Sequence, residues 1–189
     1  MTVTEYIKGR LMAANQKYKD NSRDGFDFWE QHIRLVVEGS LVLAEEYGAD
    51  REIVELGALL HDIALVSSVG KRRDHHINGG KIADKLLTKY GYPDDKKARV
   101  LGCVLHHKSS KYAENIEEIC VADGDILAHF RNIPLCFVSA CRRRKFNTSS
   151  VDGWVRYFQQ EWDDLSVRTK QSFKPEYDTV MDVLFGWLR

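Results

Sequence analysis

LGALLHDIAL, residues 56–65, is an apolar run interrupted by an adjacent imidazole and carboxylate, His61 and Asp62. Ile53, Leu56, Gly57, Leu60 and His61 recur at helical spacing, and Asp50 stands where an N-cap belongs. The segment therefore reads as a buried helix that carries an ionisable pair at its end. Burying Asp62 in ionised form among leucines is costly unless its charge is met, and a divalent cation meets it well.

The same 3.6-residue period extends along the chain in both directions, so the fold class is all-α. Upstream, a helix over about residues 27 to 47 puts His32, Leu35, Val36, Gly39, Val42 and Leu43 on one stripe, with Gly48 as its C-terminal cap. Downstream, SSVGKRRDHH reads as a loop, followed by a helix with Ile82, Ala83, Leu86, Leu87 and Tyr90 inward. GYPDD turns the chain into a helix with Val100, Leu101, Val104 and Leu105, which ends at HHKSS. Another helix begins near Asn115 and runs through EEICVADGDILAHF. Two C-terminal helices follow Pro134 and RRRKFNTSS, the last holding Val180, Val183, Leu184 and Trp187.

With 189 residues the chain suits one compact domain. Twenty-eight basic residues balance 28 acidic ones, so bulk charge does not point to a nucleic-acid polymer or a membrane surface. No apolar leader or stretch of about 18 uncharged apolar residues occurs. Cys103, Cys120, Cys136 and Cys141 show no CxxC spacing and read as packed, reduced thiols, which leads us to expect a cytoplasmic protein. GxGxxG, P-loop and GxSxG motifs do not occur.

Histidines and aspartates recur over successive segments: His32 on the preceding helix, the His61–Asp62 pair, His75 and His76 before the next helix, His106 and His107 at the end of the following one, then Asp123 and Asp125 on the last. A lone histidine on an apolar stripe is usually a satisfied core residue, but repetition over several segments favours a common site. Two imidazoles and two carboxylates neutralise a divalent ion and leave positions for water and a substrate oxygen. Such mixed ligands suit Mn, Fe, Co or Ni and also accept Zn or Mg.

The order His32, His61-Asp62, then the aspartate of DGDILAHF resembles the HD-domain metal-dependent phosphohydrolases, with their H...HD...D signature on a helical bundle. The resemblance covers residues 28–130 and leaves 131–189 as a C-terminal helical extension packing on that core. It implies one divalent metal held by His32, His61, Asp62 and Asp125, and hydrolysis of phosphate esters or anhydrides, often in nucleotides. Asp125 is chosen because Asp125-Ile126-Leu127 matches the family's aspartate-x-leucine, while Asp123, on the stripe of Ile116, Ile119, Cys120 and Phe130, is held in reserve. HHINGG matches histidine-x3-glycine through His75 and Gly79, and HHKSS supplies His106 and His107, so a second metal is an open possibility. Ala64 stands where the family often has glycine.

Asp62 is expected to help orient the attacking water. Lys71, Arg72 and Arg73 are candidates to grip a phosphate, against the plainer reading of a solvated charge run. Lys108 and Lys111 carry the same ambiguity, and CRRRK, residues 141–145, reads as an exposed face. The expected partner is a small phosphorylated metabolite or nucleotide. Two rivals remain: an HD-type di-iron oxygenase, and a non-catalytic module that binds a nucleotide or a partner. Trp154, Tyr157, Phe158 and Trp162 would pack on the core or form a homo-oligomer interface.

Overall fold

The computed structural model describes residues 1–22, 25–133 and 148–186, with side chains from residue 152 onward in the last segment. Nine α-helices form in these residues: α1 (Val3–Asn21), α2 (Arg34–Tyr47), α3 (Arg51–Leu60), α4 (Ile63–Val66), α5 (His75–Tyr90), α6 (Asp94–His106), α7 (Ile116–Arg131), α8 (Thr148–Asp164) and α9 (Val167–Phe185). No strand occurs among the described residues. Pro134, Cys136, Cys141, the CRRRK run and Trp187 lie outside them.

The buried helix α3 organises the bundle. Asp50 caps it by accepting from the backbone amides of Glu52 and Ile53, and α1, α2, α6 and α7 pack around it. Ile53, Leu56, Leu60 and His61 are all fully buried, as the periodicity predicts. After His61 the helix breaks: Asp62 adopts φ −105° and ψ 15°, and α4 restarts at Ile63. Ala64 is buried in α4, so the turn accommodates alanine.

Helix α2 lies along α7 and its close approach is set by glycine: a Cβ on Gly124 would fall against Ser40 of α2, 2.9 Å from its backbone nitrogen. Gly79 plays a similar part in α5, where a Cβ would come 3.4 Å from the His61 carbonyl and 3.3 Å from Val104. These approaches bring the end of α3 next to α5, α6 and α7.

Three readings of the pattern need correction. Residues 29–33 form a π-helical turn ahead of α2, and Val42, at the edge of the face that buries Val36, Gly39 and Leu43, is 61% exposed where the stripe predicts a core position. Leu105 and Val183 also face solvent, because Cys103 and Phe185 take the inward places on their helices. Finally, α1 has no counterpart among the expected helices, although Thr2 and Glu5 form a reciprocal capping box and Val3, Ile7 and Leu11 are buried at helical spacing.

The C-terminal hairpin of α8 and α9 is tied to α7. Phe158 packs on Phe130 at 5.1 Å, Phe173 and Tyr177 on Phe130 at 5.5 and 5.6 Å, and Trp162 stacks on Tyr177 at 4.2 Å. At the turn, buried Asp123 accepts from the Ser166 amide at 3.0 Å, the Ser166 hydroxyl at 2.5 Å and the Thr169 hydroxyl at 2.6 Å. Tyr47 donates in turn to Thr169.

Candidate metal centre

The π turn, the α3–α4 break, the start of α5, the end of α6 and the middle of α7 converge on Asp62. His32 from the π turn with His61 and Asp62 from the α3–α4 break makes one group, and Asp125 from the middle of α7 adjoins it through His32 and His61. His32 Nε2 lies 3.1 Å from His61 Nε2, 3.1 Å from Asp125 Oδ1 and 3.7 Å from Asp62 Oδ2. The second group takes the other oxygen of the same carboxylate: Asp62 Oδ1 lies 3.3 Å from His75 Nε2 and 4.0 Å from His107 Nε2, and these two nitrogens are 2.9 Å apart. His75 begins α5 and His107 follows the last residue of α6.

The tautomers follow from the partners. Nδ1 of His61, His75 and His107 each meets the backbone carbonyl three residues back, at Ala58, Arg72 and Val104, with distances of 2.7 to 2.8 Å. A carbonyl only accepts, so each Nδ1 donates and each neutral ring keeps a bare Nε2 lone pair. With both rings neutral, the lone pairs of His75 and His107 would face each other at 2.9 Å. His107 is fully buried; that burial, with His61 beside it, pushes its pKa down to about 4 and disfavours a proton. Asp62, His75 and His107 would hold a cation there, which would supply the positive charge this contact lacks, and histidines fixed through Nδ1 are pre-oriented as ligands.

The carboxylates fit the same account. Burial pushes Asp125 and Asp62 upward, and positive charge beside them outweighs it: charge on His129, His32 and His61 holds Asp125 well below the usual range, and charge on His61 and His32 holds Asp62 below it, a charge that a bound cation would supply in place of the ring protons. Asp125 Oδ1 is buried and, although near His32, lacks an aligned hydrogen-bond donor. Two carboxylates and several bare imidazole nitrogens make a hard and borderline donor set suited to a divalent first-row metal or magnesium.

The HD domain family matches residues 29–129, more than half of the chain and the stretch that carries every residue of both groups. The chain belongs to the HD domain family. Two solved structures share the fold: an HD-superfamily hydrolase from Bacillus thuringiensis, at 19% identity and TM-score 0.72 over 99% of this chain and 97% of that one, and a predicted HD-superfamily hydrolase from an uncultured Thermotogales bacterium, at 21% identity and TM-score 0.58 over 82% of this chain and 91% of that one. No curated protein matches the chain.

Within this HD fold the remaining candidates fall elsewhere. His106 turns away from the cluster and donates Nδ1–H to buried Glu118 at 2.7 Å, because adjacent residues at a helix end point about 100° apart. It belongs to neither group, unlike His107. Asp123 is spent on the α8–α9 turn, and burial raises its pKa. His76 packs against the His75 ring at 5.8 Å and lies outside both groups. Lys71, Arg72 and Arg73 are exposed at the rim beside His75; Arg73 pairs with Asp74, and Arg72 supplies its carbonyl to His75. Lys108 is exposed, and Lys111 bonds Asp164 at the end of α8.

His129, one turn after Asp125 on α7, escaped the sequence reading. Its Nε2 lies 3.7 Å from Asp125 Oδ1, its ring is parallel to His32 at 5.2 Å, and Nδ1 donates to Glu161 Oε2 of α8 at 2.7 Å. Burial would lower its pKa, but Asp125 and Glu161 facing its two nitrogens raise it to about 9. The available signal was the i, i+4 spacing of Asp125 and His129 on one helix face; Glu161 lies too far along the chain for any spacing rule to reach.

Proposed function

We propose that this chain is a metal-dependent phosphohydrolase that cleaves a phosphomonoester, phosphodiester or phosphoanhydride of a small metabolite, nucleotides foremost. The observation that carries the reading is the pair of His–carboxylate groups sharing Asp62, with bare imidazole nitrogens 2.9 Å apart in one of them. His32, His61, Asp62 and Asp125 would hold one cation, and Asp62, His75 and His107 a second. A bound divalent cation supplies charge for a phosphoryl oxygen and lowers the pKa of water toward neutrality.

The chain's own residues then have distinct tasks. Asp62 offers one oxygen to each group and so stands where it can orient a water between them. Backbone carbonyls at Ala58, Arg72 and Val104 keep three imidazoles in the ligand tautomer. Lys71, Arg72 and Arg73, exposed on the rim, are near enough in sequence to His75 to meet the phosphate of an arriving substrate. The balanced charge of the chain favours a small substrate over a polymer. Among the described residues, no helix is long and apolar enough to cross a membrane. We place the protein in the cytoplasm on the reading of its cysteines, of which Cys103 and Cys120 are buried and unpaired.

The shared carboxylate also favours a second reading, a paired-iron oxygenase on the same residues. Both are tested by loading the protein with Mn, Co, Ni, Mg or Fe(II) and following phosphate release from a panel of phosphorylated metabolites alongside oxygen consumption. The hydrolase reading expects phosphate release that falls at least about 100-fold in His61→Ala and Asp62→Ala. Oxygen consumption with iron and no phosphate release with any metal would replace it by the oxygenase. Undiminished phosphate release in both variants would remove the His–Asp pair from the chemistry.

A further inference from the structure

Three histidines of the two groups share one construction: Nδ1 is tied to an acceptor and Nε2 is aimed into the cluster. His61, His75 and His107 are tied to carbonyls of their own segments. His129 follows the same plan with one difference. Its acceptor is a carboxylate, Glu161, carried by α8 of the C-terminal extension, beyond the residues that match the HD family. A carboxylate on the far nitrogen both fixes an imidazole's orientation and strengthens it as a ligand.

The position of Nε2 completes the pattern. His129 Nε2 lies 3.7 Å from Asp125 Oδ1, nearly the 3.8 Å at which His61 Nε2 lies on the same oxygen. His32, Asp125 and His129 present donor atoms all within 4.8 Å of one another, the reach of a common ion. Asp125 Oδ1, the atom between them, is buried and has no aligned donor.

We propose that His129 is a further ligand of the first cation and that Glu161 is its positioning residue. The inference rests on the metal-centre reading above and deepens it by tying that centre to the C-terminal hairpin. Helix α8 is itself anchored at both neighbours of the site: Glu161 holds His129, while Asp164 accepts from Ser109 and Lys111 in the loop that follows His107. The extension thereby becomes part of the coordination shell. The other occupant for the Nε2 lone pair is a proton, and in that case cation binding is indifferent to His129.

The test is a titration of Co(II) into chelator-stripped full-length protein, read by calorimetry and by the visible absorption of the bound ion. Wild type, His129→Ala, His129→Gln, Glu161→Ala and Glu161→Gln are compared, with folding checked by circular dichroism. The inference expects the first equivalent to bind His129→Ala at least 10-fold more weakly than wild type, with an altered absorption spectrum that added imidazole restores. Glu161→Ala should weaken binding several-fold, and Glu161→Gln, which still accepts from Nδ1–H, should stay near wild type. An unchanged affinity and spectrum in His129→Ala overturns the inference and leaves the metal centre standing; His129→Gln decides by the same criterion if the alanine variant does not fold. Wild type that takes up no Co(II) overturns the metal centre itself.

Discussion

Adjacent histidines at the end of α6 make the sharpest test of the second group, because the structure assigns them opposite fates. His107 Nε2 sits 2.9 Å from His75 Nε2 and faces Asp62, whereas His106 is held on Glu118. His107→Ala removes one of three donors from the second group and touches none of His32, His61 or Asp125. Losing a partner that only orients a ligand costs 10- to 100-fold in affinity, so losing the ligand should cost at least about 100-fold, or about 2.7 kcal/mol. His106→Ala has a different penalty. Glu118 keeps the Glu114 amide at 2.8 Å and Asn115 at 2.7 Å but loses the imidazole, which should lower stability by about 1–2 kcal/mol and leave the cluster intact. Calorimetric titration with Mn(II) should therefore count two ions in wild type and in His106→Ala, and one tight ion in His107→Ala. Two tight ions in His107→Ala, or one in His106→Ala, would refute the assignment.

Asp123→Ala removes the acceptor for three donors at the α8–α9 turn and should cost about 3 kcal/mol, or roughly 6–12 °C in Tm by thermal denaturation; a variant as stable as wild type would deny Asp123 its clamping role. The Tyr92 hydroxyl and Lys96 hold Glu52 below its ordinary value of 4.5, so its contribution to stability is present above that pH and is lost as pH falls through the lowered value. Urea denaturation of Glu52→Gln should accordingly show a flatter acid limb than wild type, and identical limbs would contradict the cause given. Removing bound metal with chelator should lower Tm, by an amount that grows with the free metal originally present, since an ion that binds only the folded chain stabilises it by mass action; a chelator-independent Tm in metal-loaded protein would oppose a folded-state site.

The helices that carry the centre were legible because their inner faces are apolar at a single period. Leu56, Leu60 and His61 on α3 needed no long-range information, and neither did the capping role of Asp50. What a period gives less sharply is the width of the inner face: Val36, Gly39 and Leu43 of α2 are buried as the stripe has it, while Val42 at the edge of that face is exposed. Burial alone also does not separate Asp123 from Asp125. Both are buried on α7, and only the arrival of Ser166 and Thr169 from the start of α9 shows that one of them is occupied. The same holds for His106, claimed by Glu118 across the bundle, and for Glu161, which reaches His129 from another helix. Tertiary contacts of this kind have no local signature. The N-terminal helix was a different case, since its Thr2–Glu5 capping box was present in the sequence to be read.

Crystals grown with Mn(II) and measured for anomalous scattering test the central claim most directly. The account predicts two strong peaks about 3.5–4 Å apart on either side of the Asp62 carboxylate, one among His32, His61 and Asp125 and the other against His75 and His107. An Asp62 carboxylate with no anomalous peak beside it would contradict the account.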